Sequence, residues 1–573
     1  MNIEEVFSQF NVPPQEFGPI PFWFWNDDLE EGELVRQLRE FHRAGFGGVL
    51  IHPRIGLSHR VGYLSEEYFR LVRLVVDEAA RLGMKILLYD EGSYPSGSAK
   101  GGVVAENPDY ASKAIGLWTR DIEGPFTGFW RPNTGRALLD RHVCTLVGRV
   151  DDRGCIEPDS VEIIEPEPRD IFRIEVTGGQ WKAMSVWQTY SGGQIRGVHP
   201  EEESDHATAP AAGDILNPEA VACFIRLTHE RYYEHLQDHF STTIIGLFTD
   251  EPGVFGKGLR RPVGGKPFTT GFIDWLAEHW GEDPRPWLPA LWIDYGEETE
   301  FFRRRYSAAV QARLHEVFYR AQSQWCNDRG IALTGHPAKS NELSALRYFQ
   351  LPGQDMVWRY ITPGNDSGRV GAHSLAAKVA TSAARIAGRE RILTEVCGAY
   401  GWQLSLDEIK WLYDWHLSRG NNLINPHACF YSIRGRRAWE SEPDLGLHNP
   451  FWRYMPQINT YTARLSWLMS GAKQVCEVAI LGDGNDLPWE SARRLSESQV
   501  DFLFVDDGAL GQACIDRGKL VVGEQAYAVL IVEGDPILGR ETRNIIDVFA
   551  ASGGLVLHYG DELDLVAAID ECT

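Results

Sequence analysis

Apolar residues gather into eight short runs within roughly the first 435 positions, and stretches of helical period separate them. The runs fall at 22–26, 49–54, 84–91, 244–252, 331–337, a weaker one near 356–361, 392–398 and 422–427. Between the first two, Leu34, Leu38 and Phe41 recur at helical spacing, and Gly45-Phe46-Gly47-Gly48 ends the stretch. Ser65 followed by Glu66 and Glu67 marks a helix start that runs to about Leu82. Further helices are predicted at 218–240 behind Asn217, and at 301–329, 376–388 and 406–420. Continuous apolar runs alternating with amphipathic helices predict parallel strands covered on both faces. The fold class that follows is α/β, a (β/α)8 TIM barrel.

Two regions break the pattern. From about 112 to 212 the polarity alternates residue by residue, as in Arg173-Ile174-Glu175-Val176, among Gly and Asp turns. This predicts a β-rich insertion after strand three. Beyond about Ala472, apolar runs at 478–481, 502–505, 528–532 and 555–558 alternate with helical stretches. They predict a small open α/β (flavodoxin-like) domain over 473–573, following a catalytic barrel over 1–472. Gly482-Asp483-Gly484-Asn485 is glycine-rich but has neither phosphate-loop pattern, which argues against a nucleotide there.

Charge narrows the partners. The net charge of −24 argues against nucleic acid, which needs a basic surface, and suits a neutral carbohydrate. No run of about 18 apolar residues is present, so no membrane span is expected. The nine cysteines show no CxxC or zinc spacing, and Met1-Asn2-Ile3-Glu4-Glu5-Val6 has no signal-peptide character, so the expected location is cytoplasmic. Nineteen tryptophans exceed the usual share; each is core packing first and a sugar-stacking face second. The C-terminal domain is a reasonable surface for homo-oligomerisation, by analogy alone.

Candidate chemistry sits at the run ends. In a β/α barrel the carboxyl ends of the strands build the site. Run four ends in Asp250-Glu251-Pro252 and run seven contains Thr394-Glu395. Paired carboxylates at these places point to glycoside hydrolysis, one acid protonating the leaving oxygen and the other attacking carbon or activating water. Glu251 and Glu395 are therefore the catalytic candidates, against the plainer readings of a helix cap and a buried ion pair. Asp250, Asp90, Glu91, His336, His52, His427, Arg54 and Asn26 end other runs and are candidates for substrate binding, as is Trp402 beside Gly401. The metal set is unknown: no HxH or HxxxH pair supports zinc, no cofactor is required, and a hard cation on carboxylates stays open. No GxSxG elbow is present.

Pro21-Phe22-Trp23-Phe24-Trp25-Asn26, Gly47 to Arg54, Tyr89-Asp90-Glu91 with Tyr94-Pro95-Ser96-Gly97, Phe248 to Pro252, and Thr394-Glu395 with Gly401-Trp402 together resemble the α-L-rhamnosidase-like glycoside hydrolases of family 106, over about residues 18 to 470. The trailing domain is similar to the one that follows the barrel in several β-galactosidase-type enzymes. The resemblance implies exo-action on a terminal deoxysugar, an inverting mechanism with Glu251 as acid and Glu395 as base, and calcium. The strand-end carboxylates suit a retaining β-galactosidase-type exo-glycosidase equally, and a non-catalytic carbohydrate-binding barrel is the third alternative.

Overall fold

A computed structural model describes residues 3–133, 140–203 and 206–560. Parts of the expected insertion (134–139 and 204–205) and the end of the expected C-terminal domain (561–573) lie outside the described residues.

Six parallel strands form one sheet in the order Ala332–His336, Ile244–Asp250, Lys85–Tyr89, Gly48–Pro53, Phe22–Trp25 and Cys429–Phe430. A second parallel sheet runs Gly353–Met356, Leu393–Val396, Leu423–Pro426. The sheets meet at both edges. Leu351 N–H donates to the Leu333 carbonyl at 3.2 Å, and Ile20 N–H donates to the Ile424 carbonyl at 3.0 Å.

Side-chain parity explains the burial. Successive residues of a strand point to opposite faces. Phe22, Phe24, Leu50, Leu87, Tyr89, Phe248, Leu393 and Leu423 form one enclosed cluster. Their neighbours Trp23, Trp25, Val49, Ile51, Ile86, Leu88 and Leu247 join a second cluster with helix residues such as Leu34, Leu38 and Phe41. Both faces are dry, which is why the runs read as continuously apolar. Trp275, Trp280, Trp287 and Trp292 pack on the larger cluster and are not exposed platforms.

The helices follow local chemistry. Ser65 Oγ accepts the Tyr68 N–H at 3.1 Å and starts Glu66–Leu82, which Gly83 ends at φ 71°. Ser405 and Glu408 form a reciprocal cap on Leu406–Leu417. Three expectations change in detail. The helix expected over 218–240 is broken at Thr228 into Pro218–Leu227 and His229–Leu236. The helix expected at 301–329 begins at Thr299 and carries a π segment, His315–Tyr319, between its two α parts. Strand six lies at Gly353–Met356 and not at 356–361, which is mostly loop.

Lys113–Trp130, Arg141–Arg149 and Phe172–Tyr190 form an antiparallel sheet, as the alternation predicts. Its far edge is Lys266–Phe268, a strand from the loop after strand four that no pattern announced. Near the C-terminus, Phe502–Val505, Val478–Leu481, Val529–Val532 and Leu555–His558 form a parallel sheet in that order. A small antiparallel sheet over 514–527 accompanies it. Among the described residues no helix is long and apolar enough to cross a membrane.

Candidate active site

The inward parity continues past the apolar layers and turns polar at the carboxyl ends. Phe248 is followed two residues on by Asp250, and Leu393 by Glu395. Strand five ends at His336, and strand six places Asp355 in register with Glu395. These residues surround a cleft of about 80 Å3 lined by Asp250, Glu251, Asp355, Glu395, His427 and Arg54. Tyr94, Lys257, Val357, Trp358, Gly398, Ala399 and Ser441 complete its wall.

At its base, His336 Nε2 lies 3.3 Å from Asp250 Oδ1 and 3.1 Å from Glu395 Oε2. Its Nδ1 is 3.0 Å from the Pro337 carbonyl. Burial opposes charge on the ring, but the bonds to Asp250 and Glu395 prevail and hold the imidazole well above its ordinary pKa. His336 is therefore an imidazolium donating from both nitrogens. In return, although burial works to raise it, Asp250 is held down to about 2 by His336 and by the Tyr89 hydroxyl, which donates to Oδ2.

The other acids are pushed the opposite way. Burial raises Glu395 to about 7 despite the pull of His336. Burial and then the charge of Asp250 raise Glu251. Burial and then the charge of Glu395 raise Asp355 well above the usual carboxylate range. Four carboxylates share one imidazolium, so their titrations belong to the cluster as a whole.

Glu251 follows the last strand residue and has a φ of 42°. Strand parity would turn it away from the cleft; the left-handed bend returns it to the wall. Such a conformation costs a non-glycine residue roughly 1–3 kcal/mol and is held by its surroundings. Trp358, Ala399 and Ser441 on the same wall share this region of φ.

The expected site residues divide into two groups. Asp250, Glu251, Glu395, Arg54 and His427 line the cleft, with His336 beneath. Asn26, His52, Asp90, Glu91 and Trp402 do not line it and are engaged elsewhere in the structure. Asn26 exchanges two 3.0 Å hydrogen bonds with the Ser432 backbone. His52 stacks on Tyr89 at 3.8 Å, and burial and then Arg54 push its pKa well down. Asp90 Oδ1 accepts from Ser96 Oγ at 2.5 Å. Glu91 accepts the backbone N–H groups of Gly92, Ser98, Ala99 and Lys100, so its carboxylate is the hub of the loop over 92–100. Trp402 Nε1 donates to the Ala438 carbonyl at 2.7 Å and ties two loops together.

Sequence reading missed Asp355, Trp358 and Glu440. Asp355 preceded the assumed start of strand six, and the Gly353-Gln354-Asp355-Met356 segment has no apolar run to mark it. Trp358, 60% exposed at the rim, lay inside that same misplaced strand. Glu440 receives Arg196 in two bonds of 2.7 and 2.8 Å and Arg54 at 3.2 Å, and so fixes Arg54 against the cleft. Nothing local in the sequence marks it.

Asp250, His336 and Glu395 also bring one possible ligand atom each within 4.8 Å of one another. They do not by themselves fit calcium, which takes six to eight oxygens, because the trio offers two carboxylates and an imidazole nitrogen.

No family model matches the chain. It is 20% identical over 618 aligned positions to a Formosa agariphila protein named "Putative beta-glucuronidase", an alignment covering 97% of this chain and 49% of that one. The chain thus spans about half the length of that curated relative. Its fold is similar to the solved rhamnosidase of Novosphingobium sp. PP1Y, with a TM-score of 0.74, 14% identity, and 96% of this chain and 70% of that chain covered. It is also similar to the β-galactosidase of the haloarchaeon Halorubrum lacusprofundi, with a TM-score of 0.54, 13% identity, and 94% and 72% covered. With these likenesses the chain has an α/β barrel-type fold.

Proposed function

We propose that the chain is a glycoside hydrolase that removes a terminal sugar, an α-L-rhamnoside or a related residue, with two carboxylates. The observation that carries the reading is the convergence of Glu251 and Glu395, from strands four and seven, on one small polar cleft with the exposed Trp358 at its rim. The name of the Novosphingobium structure favours rhamnosides among the sugars. On the same reading the two parallel sheets are one (β/α)8 barrel, with Leu423–Pro426 and Cys429–Phe430 together as the eighth strand and the β-rich segment inserted after strand three. The C-terminal parallel sheet is taken as a separate α/β domain.

In this mechanism Glu251, whose pKa is raised by burial and then by the Asp250 charge, gives its proton to the glycosidic oxygen as the bond to carbon breaks. Glu395 takes a proton from the attacking water and passes through its own ionisation near pH 7. Positive charge developing on the sugar faces Asp250, which stays ionised. His336 keeps its protons and holds Glu395 in position. Trp358 offers an apolar face to a ring at the rim.

A retaining exo-galactosidase is the second reading. Carboxylates at strands four and seven serve it equally, and the Halorubrum β-galactosidase has a similar fold. A panel of aryl glycosides that includes α-L-rhamnoside and β-D-galactoside, run with and without calcium beside Glu251→Gln and Glu395→Gln, tests both. Turnover of one sugar lost in both variants supports the pair, and trapping of a covalent glycosyl-enzyme selects the retaining form. Turnover that survives both substitutions overturns the site. Binding without turnover of any sugar leaves a carbohydrate-binding barrel.

A further inference from the structure

Buried polar atoms in folded proteins nearly always have partners, so a residue of a cleft wall that keeps one without a partner has hydrogen-bonding capacity that a ligand can complete. Among the described residues, two residues of the cleft wall keep such a buried atom, Asp355 at Oδ1 and His427 at Nδ1. The two residues flank Glu395. Asp355 is its register neighbour on strand six. On the other side Asn425 is in register with Glu395, and His427, two residues on, brings Nε2 to 3.8 Å from Glu395 Oε1. The neighbouring backbone is shaped around them. A Cβ on Gly398 would lie 2.9 Å from His427 Cγ and 2.6 Å from Val357 Cγ1, so only glycine lets this segment pass between the two walls.

The chemistry of the pair is complementary. Asp355 offers an acceptor oxygen, and the buried imidazole of His427 is neutral and can donate or accept at Nδ1. A carboxylate beside an imidazole suits two adjacent hydroxyls of one sugar ring. Arg54 is already committed to Glu440, Ser441 and His52, and Asp250 to His336 and Tyr89, so neither competes for this task.

We infer that Asp355 is a specificity-determining residue of this cleft, which together with His427 reads two adjacent hydroxyls of the bound terminal sugar next to the carbon facing Glu395. The inference rests on the glycosidase reading and adds a recognition role that neither the strand pattern nor the catalytic pair supplies. A buried acceptor built for a hydroxyl rejects the analogue that lacks it, because the acceptor is then left unpaired.

The test uses the full chain and calorimetric titration of methyl α-L-rhamnoside and methyl β-D-galactoside, each with its 2-, 3- and 4-deoxy analogues. The wild type is expected to bind one parent and to lose at least about 100-fold at one or two adjacent positions. Asp355→Asn should weaken the parent and flatten the loss at one of those positions while the others stay sensitive. His427→Gln should flatten the adjacent one, and it carries the test if Asp355→Asn fails to fold. An unchanged deoxy profile in both variants overturns the inference. So does a wild-type profile that collapses on adding a chelator, which would assign Asp355 to a cation. If the aryl panel shows turnover of a different sugar, that sugar's deoxy series is titrated in their place. Binding with a flat deoxy profile overturns the inference alone; absence of both binding and turnover for every sugar overturns the glycosidase reading with it.

Discussion

His336 Nε2 stands 3.1 Å from Glu395 Oε2 and 3.3 Å from Asp250 Oδ1, buried between two of the four carboxylates of the cleft. Its Nδ1–H is fixed on the Pro337 carbonyl, so the ring cannot turn away without losing that bond. His336 is thus a positioning residue. It favours the ionised form of Glu395 and holds the oxygen that would meet water.

Replacing it tests that relationship through pH. Glu395 ionises near pH 7 with His336 in place, so the acid limb of kcat/KM is expected there, activity rising with pH as the base loses its proton. His336→Gln removes the positive charge, the carboxylate pKa rises further, and the limb shifts to higher pH. A loss of roughly 10–100-fold in kcat at pH 7 should accompany the shift. A lowered kcat with an unmoved limb would reduce His336 to packing.

Glu251→Gln removes the proton donor and leaves the shape of the side chain. General acid catalysis is worth about 10²–10⁴-fold, and its loss matters most for poor leaving groups. Comparison of a dinitrophenyl glycoside with a methyl glycoside should therefore show near-normal turnover for the first and a fall of about 10³-fold for the second. Equal losses on both would remove Glu251 from the role of acid.

Glu91 should be a stability residue. Two of its bonds arrive at Oε1 and two at Oε2, all from backbone N–H donors. In Glu91→Gln an amide NH2 must face two of those donors, leaving buried N–H groups unpaired at a cost of about 1–3 kcal/mol. Urea unfolding should show that drop, and hydrogen exchange should rise first over 92–100. Full stability in the variant would mean that the loop has other support.

Two tryptophans should separate binding from folding. Trp358 is 60% exposed on the cleft rim, whereas Trp402 donates to the Ala438 carbonyl. Trp358→Ala is expected to raise KM roughly tenfold with Tm and kcat unchanged, as the loss of one stacking face does. Trp402→Phe should lower Tm and leave KM in place. The reverse pattern would restore Trp402 as the sugar platform.

Much of this was readable in the chain. A parallel strand buried on both faces must be a continuous apolar run, and the residue where the run ends must be polar if it faces a cavity. Those two rules find Ile244–Asp250 with Glu251 beyond it, and Glu395 in strand seven. They also bring in Asp90 and Glu91, since a carboxylate that accepts a hydroxyl, as Asp90 does from Ser96, or gathers backbone N–H groups, as Glu91 does, looks the same in sequence as one that meets a substrate. Strand six is short and flanked by loop, so its polar end, Asp355, had no apolar run long enough to point at it.

The sequence by itself determined the alternation of strands and helices, the break into antiparallel β structure, the later parallel sheet, and the candidacy of Glu251 and Glu395, because each depends on local periodicity and on where an apolar run stops. Only the tertiary structure decided which polar residues face one another. Glu440 reaches Arg54 across 386 residues and His336 meets Glu395 across 59, and no local pattern records such distances. It also decided how each acid titrates, since burial and neighbouring charge, which set a carboxyl at about 2 in Asp250 and about 7 in Glu395, exist only once the chain has closed around them.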